Sequence, residues 1–414
     1  MSVCKKSKIN SNSRLALIIG FYPLGTSSVL INLIEMLNQS GVYVDIYINQ
    51  ESLNIPYSPP SGNVSIFTEP YKKHFKIINK LYYYILKIFL RNSLLFKVIK
   101  ASYNYFWFAV WVSGMIKKHS FYNAILYANF SSIYVSSFLK EKIDTSIYYN
   151  LELLDDNMAG ETHWNEIREI ERIHLKYMDW VFATSKKRGE CFQKLTDFPS
   201  DQIRVLPVLS LSGEVPKSSR YFYDKFSLSD NIKIVLLTGS ISKRLLQLEI
   251  INTVKYWPSD TALIFHTWDK EAFNNGYGLS LREAAQELPV YFSGESLSYN
   301  DITSAISSAR IGLAFYDDLD TNLNEILFSS NKIIEYLRCG LPVITSYNSD
   351  LNVFFNQNKC GLSVYPEDLP KAITAILDNY IEYRNAAFNT SKGNFSFENY
   401  FYNAFTGINL LIKR

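Results

Sequence analysis

Ser329-Ser330-Asn331-Lys332-Ile333-Ile334-Glu335-Tyr336-Leu337-Arg338-Cys339-Gly340-Leu341-Pro342-Val343-Ile344-Thr345 reads as a loop, a short helix, a tight stop and a buried strand. Ser330 or Asn331 caps the helix by accepting a backbone N–H bond. Ile333, Ile334 and Leu337 fall on one side at helical spacing. Gly340 suits the left-handed position just past a helix end, Pro342 blocks continuation, and Val343-Ile344 begins a strand. A helix start carries free N–H groups and a partial positive charge, which together seat phosphate. Lys332 adds a full charge there. One turn on, Glu335 is placed to accept two hydrogen bonds from a vicinal diol such as ribose. As a bare pattern the same residues also make an ordinary helix start, since the dipole favours an early Glu and water a lysine.

Outward from this stretch the chain alternates strands and helices. Residues 15–20 form a continuous apolar run of the kind a buried parallel strand shows. A turn at 21–28, a helix at 29–39 ended by Gly41, and a strand at 42–48 complete a unit with a right-handed crossover. Gly25 and Thr26 stand at the carboxyl end of that first strand, where open sheets bind ligands, although the G-x-G-x-x-G fingerprint is missing. Further strands are expected at 124–127, 146–149, 179–185 and 203–208, with helices at 164–177 and 186–195. Acids cluster after the 146–149 strand, from Glu152 to Asp156. A polar link spans 210–231. A second series then opens at 232–238, followed by the turn at Gly239 and a helix near Lys243-Arg244. Strands follow at 263–266, 290–292 and 311–315, with helices at 298–309, 366–379, 383–388 and 400–412. Two such series predict an α/β protein of two doubly wound domains facing across a cleft, the default ligand site.

With 414 residues and 47% apolar composition the chain has ample material for two cores. The net charge of +3 is too small to imply a nucleic-acid partner. Four scattered cysteines, Cys4, Cys191, Cys339 and Cys360, lack metal or redox spacing and fit a reducing compartment. Lysines before residues 15–19 imitate a signal peptide, but the apolar run is short and no small-residue cleavage site follows. Residues 70–140 contain no Asp or Glu, yet carry Lys72, Lys73, Lys76, Lys80, Lys87, Lys117 and Lys118 among Tyr82-Tyr83-Tyr84 and the aromatic run at 103–111. No stretch reaches the ~20 apolar residues of a membrane span. A basic, aromatic, amphipathic region fits a helix pair lying on an anionic membrane surface. The alternatives are a core with a solvated basic rim, or single-stranded nucleic acid.

The residues at 330–344 resemble the "P-x-K-x-x-E-Y-x-x-x-G-x-P-V-I" pattern of nucleotide-sugar glycosyltransferases with two Rossmann-like domains (GT-B), especially family 4 and its relatives. Weaker similarities run in the right order: the turn at Gly25, residues 179–185 with a helix after them, 203–207, Gly239 with Lys243-Arg244, and Phe292-Ser293-Gly294. The resemblance implies an N-terminal acceptor-side domain at 1–212, carrying the basic aromatic region. It implies a donor domain at 213–392 and a C-terminal helix at 393–414 that packs back on the first domain. It gives Glu335 the ribose hydroxyls. Amides near Ser330-Asn331, with Lys243 or Arg244, take the diphosphate, and Lys332 counts among the donor-binding residues. Gly239 belongs to the same cradle, backbone around Phe292 meets the base, and Gly25-Thr26 approaches from the first domain. The activity implied is transfer of a sugar from a nucleoside diphosphate to a saccharide or lipid-linked acceptor, in cell-surface polysaccharide or glycolipid synthesis. The enzyme would work in the cytoplasm at a membrane face. No metal is required in that scheme.

The chain departs from the family at three places. The second glutamate, eight positions before the ribose one, is Leu327, with Glu325 nearby. The glycine after the second donor-domain strand is replaced near His266-Thr267. The asparagine after the interdomain proline is Val208. A catalytic base is not evident. Glu152 is the candidate for contacting sugar or acceptor, with His163 as another. An epimerase or hydrolase of the same fold, and a non-catalytic nucleotide-sugar-binding or membrane adaptor protein, stay open as alternatives.

Overall fold

Leu15, Ala16, Leu17, Ile18 and Ile19 have no exposed surface, as expected of a strand with a neighbour on each side and a packed layer on each face. They form β1 (Arg14–Gly20). The computed structural model describes residues 13–22, 24–53, 57–69, 94–118, 121–139, 144–153, 162–209, 218–317 and 330–408. The polar tail at 1–12, the lysines between 72 and 87, and Leu327 with Glu325 lie outside them.

The chain forms two compact units, residues 1–207 with 398–414, and residues 208–397. In the first, α1 (Ser28–Gln39) connects β1 to β2 (Tyr43–Asn49), and β3 (Val64–Glu69) follows. Then come α2 (Leu94–Lys118), β4 (Ala124–Ala128), the single turn α3 (Phe130–Ile133) and β5 (Ser146–Asn150). Next are α4 (Thr162–His174), β6 (Trp180–Ala183), α5 (Lys186–Thr196) and β7 (Ile203–Val205). The sheet runs β3-β2-β1-β4-β5-β6-β7, every pairing parallel. The chain starts in the middle, builds to one edge, and returns to build the other. The reversal falls between β1 and β4.

The second unit repeats the plan after α6 (Tyr221–Phe226). Its elements are β8 (Lys233–Thr238), α7 (Gln247–Thr253), β9 (Thr261–Thr267), α8 (Gly276–Ala284), β10 (Val290–Gly294) and α9 (Tyr299–Ser307). They continue with β11 (Ile311–Ala314), α10 (Asn331–Arg338), β12 (Val343–Ser346), α11 (Ser349–Asn358) and β13 (Gly361–Val364). The helices α12 (Leu369–Asp378) and α13 (Tyr380–Asn394) end the series. The order β10-β9-β8-β11-β12-β13 places the second reversal between β8 and β11. Alternating residues separate the faces. Leu313 clusters with Ile251 of α7, Leu281 of α8 and Ile373 of α12, whereas Gly312 lies under the Tyr336 ring of α10. The last helix, α14 (Phe397–Phe405), closes on the first unit, with Phe405 edge-on to Phe182 of β6 at 5.2 Å.

Two expectations change. The link expected at 210–231 contains α6, because Phe222 is fully buried and packs against His266 at 5.9 Å, which a polar composition hides. Part of the aromatic run at 103–111 serves a core. Phe108, Ala109, Val112 and Ile116 of α2 are buried in the main cluster of the first unit, leaving Phe106 and Val110 exposed.

One carboxyl is sealed into the first unit. Glu171 of α4 is 2% exposed and accepts from the Tyr148 hydroxyl and, at 3.0 Å, from Asn150 Nδ2. Burial pushes its pKa up to about 7, and the two hydrogen bonds pull only partly the other way. The folded chain therefore holds a proton that the unfolded chain releases near the ordinary value of ~4.3. The stabilising contribution is complete below that value and is lost as pH rises through 7. Glu171→Gln keeps an acceptor for both partners and carries no charge. It should raise the calorimetric thermal midpoint at pH 8 by a few degrees, at about 2–4 °C per kcal/mol for a unit of this size, with the gap closing toward pH 5. An unchanged midpoint at pH 8 would place an ordinary carboxylate there.

Candidate functional site

β8 and β11 are paired only at Val235–Ile311 and Leu236–Gly312. Beyond that register they part, and the amide two residues further along β8, Thr238 N, donates to the Tyr336 phenol at 2.8 Å. The same phenol lies 2.9 Å from Thr238 Oγ1. A Cβ at residue 312 would fall 2.3 Å from the Tyr336 ring, so Gly312 is what lets α10 lie this close to the sheet. The helix is thereby fixed across the reversal point, and its N-terminus stands at the carboxyl ends of the parting strands.

Ser330 caps that N-terminus. Its Oγ accepts from Ile333 N at 3.4 Å and lies 2.9 Å from Tyr316 Oη, just past β11. The Lys332 ammonium sits 4.9 Å from the centre of the Tyr316 ring. Gly239, immediately after β8, has φ +118, and a Cβ there would lie 2.8 Å from Lys332 Cε. Gly239, Tyr316, Ser330 and Lys332 therefore converge from three segments. No carboxylate pairs with Lys332 among the described residues, and burial lowers its pKa to about 8. A half-buried cation with no carboxylate beside it is an electrostatic deficit that an anion corrects. Beside it, Arg244 Nε lies 3.7 Å from Asp317 Oδ2, and Asp317 N donates to Arg244 O at 2.8 Å. These contacts tie the loop after β8 to the loop after β11. Lys243 is exposed in the same turn.

Glu335 is 9% exposed on α10. Arg338 holds its Oε2 from two nitrogens, Nε at 2.9 Å and Nη2 at 2.8 Å, and Nη2 also donates to Thr303 Oγ1 of α9 at 2.8 Å. This fork orients the Glu335 carboxylate. Phe292 packs its ring between Phe265 at 5.5 Å and Phe273 at 4.8 Å, which leaves its backbone as the part able to meet a ligand. Asn331 is exposed at the helix start.

The second unit thus brings together Gly239, Lys243, Arg244, Ser330, Asn331, Lys332 and Glu335. Gly25 and Thr26, in a short turn after β1, and exposed Glu152 after β5 belong to the carboxyl end of the other sheet. The His163 side chain and Asp155 with Asp156 fall outside the described residues. Tyr316, Tyr336 and Arg338 supply positioning that the sequence motif alone did not assign. Tyr336 carried a signal, since an aromatic inside a short apolar stripe opposite a strand glycine marks a close helix–sheet contact.

Two doubly wound parallel sheets in series, with the last helix returned to the first unit, are the GT-B architecture, and solved GT-B proteins superpose on nearly all of this chain. Residues 251–390 match the family model described as glycosyl transferase-like, a span that contains β11, α10 and Glu335. Sucrose-phosphate synthase from Thermosynechococcus elongatus is similar at 17% identity, over 94% of this chain and 97% of its own, with TM-score 0.66. WaaG, a glycosyltransferase involved in lipopolysaccharide biosynthesis, is 15% identical over 95% and 99%, with TM-score 0.63. Anabaena HepE in complex with UDP-glucose is 13% identical over 94% and 98%, with TM-score 0.62. No curated protein matches the sequence significantly.

Proposed function

We propose that the protein is a glycosyltransferase that moves a sugar from a nucleoside-diphosphate sugar to a saccharide or lipid-linked acceptor in cell-surface polysaccharide or glycolipid synthesis. The observation that carries this reading is the convergence of Gly239, Ser330 and Lys332 at a sheet reversal, one helical turn from the buried Glu335. In the reaction the nucleoside diphosphate leaves, and negative charge grows on its oxygens. Donors already in place stabilise that charge best where water is scarce. Lys332, the α10 amides and Lys243 or Arg244 would take the diphosphate, Glu335 the ribose and backbone near Phe292 the base. Gly25-Thr26 and Glu152 would serve the sugar and acceptor from the first unit. The scheme needs no metal, because the leaving charge is met by side chains and a helix start. The glycosyl transferase-like match and the UDP-glucose complex of the HepE fold relative support the donor class, and WaaG supports the acceptor class.

The acceptor side of the proposal includes peripheral binding to the cytoplasmic face of an anionic membrane. Among the described residues no helix is long and apolar enough to cross one. Phe106 and Val110 of α2, with Phe121 just beyond it, are exposed large apolar residues close in sequence to exposed Lys117 and Lys118. Aromatics and lysines on one surface suit a charged lipid interface. Flotation with phosphatidylserine vesicles should retain the protein at low salt and release it when Lys72, Lys73, Lys76 and Lys80 are neutralised. Flotation indifferent to charge and salt would remove the membrane from the proposal.

Activity is tested by incubating the full chain with UDP-, GDP- and ADP-sugars and measuring nucleoside diphosphate release with and without a glycolipid extract. Release that requires the extract is the expected result. Release of free sugar without it marks a hydrolase, and conversion of the intact donor marks an epimerase.

A further inference from the structure

Arg310 stands at the end of the sheet opposite the nucleotide site. It immediately precedes β11, and its amide donates to Ile234 O, near the start of β8, at 2.8 Å. Its side chain lines a cavity of about 70 Å³, with Ser219, Ser308, Cys339, Tyr380 and Arg384 among the other walls and no Asp or Glu. We propose that this cavity holds a phosphoryl group, that of inorganic phosphate or of a small phosphate monoester.

Two guanidinium groups share one small space with no carboxylate in its walls. Arg310 is half-buried. Its guanidinium centre lies 5.0 Å from the centre of the Tyr380 ring, and the Tyr380 and Tyr223 phenols are its neighbours. Arg384, also half-buried, rests on the Phe388 ring at 5.5 Å. Aromatic faces orient a guanidinium and leave its N–H donors for an oxyanion, which it grips with two parallel bonds. Like charges held together and partly out of water are costly until an anion joins them. Tyr380 opens α13, and Arg384 follows one helical turn later on the same side. The residue before them, Asn379, makes no side-chain bond to the first amides and instead donates its own amide to Ala375 O at 3.2 Å. A helix start without a side-chain cap thus adds its positive end to the two cations. Glu382, the acid of that turn, is exposed and lies outside the lining. Ser219 Oγ accepts from Tyr221 N at 3.1 Å, which leaves its proton to donate.

Size restricts the ligand. A cavity of about 150 Å³ takes a benzene ring, so 70 Å³ admits a tetrahedral oxyanion and leaves its carrier outside, where Ser218 is exposed. Position separates the cavity from the diphosphate. β11 runs from Arg310 toward Tyr316, and its 4 residues span about 13 Å at ~3.3 Å each. Cys339 and Leu341 follow the C-terminus of α10, whereas Ser330 caps its N-terminus. None of the lining residues belongs to the nucleotide cradle. The proposal does not rest on the donor reading.

Calorimetry on the full chain in a phosphate-free buffer tests the proposal, with inorganic phosphate, glycerol 3-phosphate and UDP as ligands. Phosphate, the monoester or both should bind saturably. Tighter binding of the monoester makes the ligand a phosphorylated metabolite, and tighter binding of phosphate makes it the free ion. Arg384→Gln should weaken that binding about tenfold or more, the loss of one charge-assisted contact at its lower bound. Ser219→Asp keeps both arginines and an acceptor for Tyr221 N while placing a carboxylate in the lining. It should abolish the binding with a thermal midpoint no lower than wild type. Both variants should keep the Kd for UDP within about twofold, and Lys332→Met should keep the affinity for phosphate. No saturable binding, or binding indifferent to Arg384→Gln and Ser219→Asp, would overturn the proposal. So would loss of phosphate binding in Lys332→Met, which would put the anion at the nucleotide site. Failure of the donor reading appears separately, as absent UDP binding in the unsubstituted protein beside intact phosphate binding.

Discussion

Glu335→Ala should weaken UDP binding about 100-fold or more, measured by calorimetry near pH 7. A buried carboxylate accepting from two ribose hydroxyls makes charge-assisted bonds worth about 1.5–3 kcal/mol each, and two at the lower bound already give about two decades. The substitution also strips Arg338 of its partner, so a loss of affinity could arise from a displaced α10. Glu335→Gln keeps the volume and one acceptor oxygen, and separates the two causes. If the carboxylate touches ribose, Gln should fall between wild type and Ala, with a thermal midpoint close to wild type. The ligand supplies a sharper check. Deoxy-UDP, lacking the 2′ hydroxyl, should bind the wild type at least tenfold more weakly than UDP, yet bind Glu335→Ala no more weakly than UDP does. If the penalty for the missing hydroxyl survives in Glu335→Ala, the ribose is held by another residue.

Arg338 belongs in the same argument. Its guanidinium reaches Glu335 twice and Thr303 once, so it sets the direction of the carboxylate and ties α10 to α9. A lysine there would supply charge without the planar fork. Arg338→Lys should therefore weaken UDP binding far less than Glu335→Ala, while reducing the contrast between UDP and its deoxy analogue.

The opening stretch was legible because each local rule agreed with the next: a serine cap, apolar residues at helical spacing, a left-handed glycine and then proline. The structure has Ser330 as the cap and Gly340 at φ +72. The order of strands and helices was legible for the same reason, each buried strand being a run of apolar residues closed by a turn. What escaped was set by contacts distant in sequence. Helix α8, which opens Gly276-Tyr277-Gly278, was not among the expected elements; Gly278 is needed there for a close approach, since a Cβ would fall 1.7 Å from Ala272 O. Helix α6 hides in a polar link because its stability comes from Phe222 against His266 rather than from its own pattern. That histidine stands near where a glycine was expected. It hydrogen-bonds Ser293 Oγ at 3.0 Å, and burial lowers its pKa to about 4. The departure at this position reflects core packing, and the neighbouring Trp268 is its exposed counterpart. The site itself was only half legible. Lys332 and Glu335 were visible in the motif, but their orienting partners, Tyr316 and Arg338, depend on which strand ends the fold places together.

Lys332→Met should lower affinity for UDP by about 10- to 150-fold, the loss of one charge-assisted contact, and should leave affinity for uridine nearly unchanged. The sign of the pH dependence follows from burial. In the free protein the ammonium titrates near 8, below the ordinary lysine value of ~10.4, and a diphosphate beside it raises that value again by favouring the charged form. Affinity is therefore greatest below the free-state pKa and declines as pH rises through it, by ~10-fold between pH 7 and pH 9 for a group titrating at 8. Phosphate itself titrates near 6, so the ligand keeps its charge over that interval. In Lys332→Met the decline should be absent, and the curve for UDP should run parallel to that for uridine. Methionine also removes an unpaired charge from a half-buried place at similar length, so the ligand-free variant should melt no lower than the wild type. A variant that lost UDP affinity but kept the decline between pH 7 and pH 9 would mean that another group titrates there, and Lys332 would lose its place at the diphosphate. The combination expected here, an affinity loss confined to phosphate-bearing ligands, a flattened pH profile and an undiminished midpoint, is one that a merely structural lysine would not produce.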